Sequence, residues 1–114
     1  MSSLVLNNTS APIVKGIDYI IPFQRASTKK INLVANAPIQ VVAVNLQRIH
    51  LIIANLTDQL VWLYFGDSAP VVGGGLPLYD KRSFIQIDQT MLYRGQIAAI
   101  SEFATSLSIV ECVL

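Results

Sequence analysis

Charge is scarce in this chain. Charged residues make up 13% of it and apolar residues 53%, where globular domains average about 25% charged. The formal net charge is +1, which argues against a polyanion binder, because non-specific nucleic-acid affinity grows with the number of Lys and Arg contacts to phosphate. The single cysteine, Cys112, excludes an intrachain disulfide and a cysteine-rich metal site. Set among Val110, Val113 and Leu114, it reads as a buried, inert thiol. The one histidine, His50, and scattered carboxylates show no His-x3-His or Asp-x-Asp-x-Asp spacing. Long apolar runs are missing too. The longest nearly apolar window, Ile49 to Leu56, contains His50 and Asn55 and falls far short of the ~20 residues that cross a bilayer. The first residues carry no basic leader, so cytoplasmic synthesis is expected, and the triplets at Asn7, Asn8 and Asn55 read as chance rather than glycan acceptors.

What is present is apolar surface in excess of what a small globule hides. A domain of 114 residues buries only about two thirds of the surface its unfolded chain exposes, so other protein chains are expected to cover the remainder. Charge is also uneven along the chain. Lys15, Arg25, Lys29, Lys30 and Arg48 face only Asp18 in the first half, whereas Lys81, Arg82 and Arg94 are outnumbered by Asp58, Asp67, Asp80, Asp88, Glu102 and Glu111 in the second. The asymmetry fits either head-to-tail docking of subunits or scattered solvated charge.

Short runs of Val, Ile, Leu and aromatics, punctuated by Gly, Pro, Asn and Asp, predict strands and turns and no long helix. Strands are expected near residues 18–23, 30–35, 39–44, 48–55, 60–65, 83–88, 96–102 and 106–113. Eight short strands predict an all-β, jelly-roll-like β-sandwich over residues 18–114. Residues 1–17 lack periodicity, hold Pro12, and offer the anchors Leu4, Val5, Leu6, Ile13 and Val14, which suits an extended N-terminal arm. Leu56-Thr57-Asp58-Gln59 has the length to join its flanking strands as a hairpin. In those strands Ile49, Leu51 and Ile53 oppose Arg48, His50, Ile52 and Ala54, and Val61, Leu63 and Phe65 oppose Leu60, Trp62 and Tyr64. Both faces are apolar, so a surface from another subunit is expected over Ile52, Trp62 and Tyr64. In the last strand Glu111 takes the inward parity of Leu107 and Ile109. Either a bulge near Ile109 shifts the register, or Val110 and Cys112 enter an intersubunit seam.

Catalytic signatures are weak. His50 sits mid-strand, and Ser68 in Gly66-Asp67-Ser68-Ala69-Pro70 lacks the second glycine of a nucleophile elbow. Gly73-Gly74-Gly75 has no Lys-Ser or Lys-Thr after it and reads as a conformational device rather than a phosphate cradle. Trp62, Tyr64 and Phe65 have no cationic neighbours, against single-strand nucleic acid. Tyr79-Asp80 is the best glycan-stacking candidate, and Trp62 reads as a core or interface residue.

The stretch Arg48-Ile49-His50-Leu51-Ile52-Ile53-Ala54-Asn55, then Val61-Trp62-Leu63-Tyr64-Phe65-Gly66 and Gly73-Gly74-Gly75-Leu76-Pro77-Leu78, with Leu92-Tyr93-Arg94-Gly95-Gln96 and Leu107-Ser108-Ile109-Val110-Glu111 after it, resembles small β-rich structural proteins of tailed bacteriophages. The resemblance covers residues 48–114 and implies binding rather than catalysis. It implies a virion location, a capsid cement or decoration role, a major capsid protein as partner and a homo-oligomer, trimer or dimer. No cofactor, nucleic acid or membrane is implied. A head-fibre or tail module that binds a receptor or glycan is the alternative.

Overall fold

The computed structural model describes residues 25–114, and the expected arm, with the strand predicted at 18–23, lies outside them. The described residues form an all-β sandwich of eight strands: β1 (Arg25–Leu33), β2 (Ile39–Val42), β3 (Arg48–Asn55), β4 (Val61–Phe65), β5 (Leu76–Leu78), β6 (Phe84–Ile87), β7 (Ile97–Ser101) and β8 (Thr105–Val113). They make two antiparallel four-stranded sheets. The first runs β1-β8-β3-β6 and the second β2-β7-β4-β5.

Alternation decides which side chains meet between the sheets. Leu51 and Ile53 of β3 and Leu107 and Ile109 of β8 face Val61 and Leu63 of β4 and Ile97 and Ala99 of β7, all in one buried cluster. Period-2 patterning in β-branched and leucine-rich segments is what a two-layer β core requires.

The predicted hairpin is not formed. β3 pairs with β6 and β8, and β4 with β5 and β7, so residues 56–60 carry the chain from one sheet to the other. Loop length alone does not separate the two outcomes, since a short link also spans the roughly 10 Å between packed sheets. What selects the crossing is Asn55, whose buried side chain donates to Gln59 O at 2.7 Å and across to Leu78 O of β5 at 3.0 Å. Its Oδ1 accepts from the Thr57 N–H and hydroxyl.

A second correction concerns the inward glutamate. β8 keeps one unbroken register against β1 from Arg25–Val113 to Leu33–Thr105, so no bulge lies at Ile109. The shift is in β3, where Arg48 pairs with Val113 and His50 with Cys112, leaving Ile49 as the extra residue. A bulge turns two successive residues to one side. Arg48 and Ile49 are therefore both buried, and Arg48, expected beside His50, instead points inward to meet Glu111 at 2.7 Å.

β5 was not foreseen. Pro77 lies in its middle directly after a triple-glycine loop, a pattern that reads as coil, but β5 is an outer strand, where proline is tolerated.

Candidate functional site

The loops gather at two ends. Residues 34–38, 56–60, 79–83 and 102–104 lie beyond the Asn55 end of β3, and residues 43–47, 66–75 and 88–96 beyond its Arg48 end. Each of the four loops at the Asn55 end exposes one large apolar side chain: Val34 at 71%, Leu56 at 45%, Tyr79 at 65% and Phe103 at 54%. Exposed apolar side chains on hydrogen-bonded loops make this end a candidate contact surface.

Hydrogen bonds between loops hold that end. The Ser101 hydroxyl donates to Leu60 O at 2.7 Å, the Asn36 N–H to Ser101 O at 2.7 Å and the Leu56 N–H to Ser106 O at 3.0 Å. Ser83 Oγ accepts from the backbone N–H groups of Tyr79 and Asp80, which fixes the turn that displays Tyr79. The charges there are largely paired among themselves, Arg82 with Asp80 at 3.2 Å and Lys81 with Asp58 at 3.9 Å. Asp80 accepts the Arg82 backbone N–H at 2.8 Å, and this bond, helped by the Arg82 side chain, holds its carboxyl below the ordinary carboxylate value. That end thus combines four exposed apolar side chains with two surface ion pairs and the exposed carboxylate of Glu102.

At the other end Arg48 is fully buried and is bonded on every nitrogen. Nε donates to Glu111, Nη1 to Tyr93 O and Gly95 O at 3.1 Å each, and Nη2 to Ala43 O at 2.6 Å. Arg94 Nε returns a bond to Arg48 O at 2.8 Å. A buried guanidinium needs this many acceptors to offset desolvation. Val44, Leu46, Val71 and Met91 are exposed around it, so apolar contact surface exists at both ends.

The residues singled out from sequence fall on opposite outer faces. Ile52 and Val110 are cross-strand partners on the outside of the first sheet, with Cys112 opposite His50 one row away. Cys112 is buried, and burial pushes its thiol pKa up, with the neighbouring Glu111 charge adding to the shift. Trp62 lies on the outside of the second sheet, opposite Ile100 and Pro77, and Tyr64 lies opposite Ala98. Tyr64 is covered by the chain itself: its hydroxyl donates to Val71 O at 2.6 Å, and the triple-glycine loop lies on its ring. A Cβ on Gly75 would stand 2.5 Å from Leu63 O, and its φ of +73° excludes most side chains independently. Leu4, Val5, Leu6, Ile13 and Val14 lie outside the described residues.

The two residues weighed for catalysis, Ser68 and His50, stand on different elements. Ser68 is exposed in the loop between β4 and β5, while His50 is on β3 in the other sheet. Among the described residues no group of three or more His, Cys, Asp or Glu side chains is placed to hold a metal ion. An open cleft of about 400 Å³ lies at the Arg48 end, lined by Arg25, Ser27, Asn45, Gln47, Glu111 and Val113. Val34, Leu56 and Phe103 were not singled out from the sequence. Leu56 and Phe103 stand beside turn-forming residues outside any predicted strand, whereas Val34 falls within the strand expected at 30–35 and lies just past the end of β1.

Compared with protein families, with curated proteins and with solved structures, the chain matches none.

Proposed function

We propose that this chain is a structural virion protein of the capsid cement or decoration type, which binds the outer capsid surface and stabilises it by apolar contact. The observation that carries the reading is the loop end, cross-linked by hydrogen bonds, that exposes Val34, Leu56, Tyr79 and Phe103. Pre-organised apolar loops lose little entropy on docking, so contact area converts efficiently to binding. Standard stable interfaces bury about 1,200 to 2,000 Å² with an apolar centre. The half-buried outer residues Ile52, Val110 and Trp62 extend the available area toward neighbouring subunits.

The strand orders β1-β8-β3-β6 and β2-β7-β4-β5 support a jelly roll, an eight-stranded double-sheet fold used by viral capsid and lectin domains. In this reading residues 1–17 form the attachment arm through Leu4, Val5, Leu6, Ile13 and Val14, the major capsid protein is the partner, and no cofactor or catalytic step is involved. Co-sedimentation with capsids lacking this chain tests it. Leu56→Ser and Phe103→Ser should each weaken attachment with folding intact, and attachment unchanged in the double variant would sink the proposal.

The second reading, a head-fibre or tail module binding glycan, draws on Tyr79, which stands exposed beside Asp80 on the Ser83-locked turn. Aromatic faces with an adjacent carboxylate suit sugar stacking and hydroxyl bonding. Glycan-array binding that disappears in Tyr79→Ala would favour it over the capsid contact.

A further inference from the structure

Among the described residues each sheet has two outer strands, and three of these four carry a feature that discourages pairing with another chain. β1 is nine residues long but bears Arg25, Lys29 and Lys30 and no acidic residue, so self-pairing sets like charges against one another. β2 follows Pro38 and shifts register between Gln40 and Val42. β5 is three residues long with Pro77, which has no N–H, at its centre. β6, Phe84–Ile87, has no proline, bulge or charge. Its flanks carry opposite charges, Arg82 before it and Asp88 after it, and Phe84 is 59% exposed.

The backbone fixes the register open to a partner. The Asn55 N–H donates to Ser83 O at 3.0 Å, and Ile53 and Leu51 pair with Ile85 and Ile87. Main-chain groups alternate sides along a strand, so residues 83, 85 and 87 bond inward to β3 while Phe84 and Gln86 turn theirs to the open edge. For two copies related by a twofold axis, matching open groups on both edges allows Phe84 opposite the other copy's Gln86, centred on Ile85. Continued past each strand end, that register brings each Arg82, in the turn at 80–83, toward the second copy's Asp88, at the start of the turn at 88–91.

We infer that a second copy of this chain pairs with the β6 edge about a twofold axis, joining the two first sheets into one eight-stranded antiparallel sheet flanked by two Arg82–Asp88 pairs. Arg82 is 87% exposed and tied only to Asp80 two residues away, a surface pair weak enough to exchange partners. Asp88 is anchored by the Thr90 N–H at 3.0 Å and the Thr90 hydroxyl, so its carboxylate is held at the edge. Closed twofold pairing is the commonest assembly of identical chains, and it leaves both loop ends and both outer faces uncovered. The inference goes beyond the virion reading and is measured on the purified full chain without capsids, so either can fail alone.

Sedimentation velocity across a concentration series decides it. The native chain should dimerise, and Arg82→Glu and Asp88→Arg should each weaken self-association by roughly tenfold or more, since each homodimer then sets like charges opposite twice. An equimolar mixture of the two variants should recover the dimer. At one flank the acidic side chain introduced in the first variant then meets the basic side chain introduced in the second, and at the other flank the native Arg82 and Asp88 meet. Circular dichroism checks folding of both, and Asp88→Asn, which keeps an acceptor for Thr90, should give a smaller weakening if Asp88→Arg unfolds the turn. A native chain that stays monomeric at the highest concentration, or a dimer indifferent to all three substitutions, overturns the inference, as does a mixture that fails to recover.

Discussion

The two ends of β3 solve one problem by different means. Both must tie loops from the two sheets to a single strand while burying polar atoms. At the Asn55 end a neutral amide serves, donating to Gln59 O and Leu78 O and accepting from Thr57. At the Arg48 end a full charge is enclosed and matched by Glu111 and by carbonyls of Ala43, Tyr93 and Gly95. The difference teaches where stability is concentrated. An uncompensated buried charge costs more than an uncompensated amide, so the Arg48 end is the more brittle.

Substitutions at each end can break or sharpen this contrast. Arg48→Ala should be the most damaging, lowering unfolding free energy by about 4 kcal/mol in denaturant titration, since it strands Glu111 and several carbonyls. Asn55→Ala should cost about 3 kcal/mol, because buried carbonyls lose their donor and the turn at residues 56–60 loses its acceptor. A loss at Asn55 equal to or above that at Arg48 would overturn the ranking. Glu111→Gln keeps an acceptor for Arg48 and removes the opposite charge. It should cost about 2 kcal/mol, less than Arg48→Ala because Glu111 is 21% exposed and water screens part of the effect.

The smallest effect is a pH response common to both ends. Asp80 at the Asn55 end and Asp88 at the Arg48 end both titrate below the ordinary value, Asp80 chiefly through the Arg82 backbone N–H and Asp88 chiefly through the Thr90 hydroxyl. A depressed carboxyl stabilises the fold above its unfolded value and loses that contribution as pH falls through the folded one. Carboxyl titration by NMR should show both midpoints below 3.8. Thr90→Val should return only Asp88 toward the ordinary range.

Strands 48–55 and 106–113 were legible because short runs of apolar, largely β-branched residues bounded by turn formers are a local property of the sequence. The pairing of strands was not. Residues 56–60 are compatible by length with a hairpin or a sheet crossing, and the choice rests on Asn55 meeting Leu78, twenty-three positions away. Arg48 was assigned to the wrong face because strict alternation hides a one-residue bulge, whose only trace in the sequence is the misplaced Glu111. Tyr79 was legible as an exposed aromatic on a charged turn. Val34, Leu56 and Phe103 were not, since only the fold brings their loops to one end.

β8 is the last strand of the sandwich in chain order, yet it holds an inner position, between β1 and β3. During synthesis the first sheet therefore has no centre until that strand leaves the ribosome. β1 and β3 wait without their shared neighbour, and of the consecutive strands only β4 and β5 pair directly. Folding of this kind, dominated by contacts between distant segments, runs on the millisecond-to-second scale. The nascent chain accordingly carries the apolar β3 segment without its partner β6 until residue 87 is made and without β8 until residue 113 is made, so the first sheet closes late.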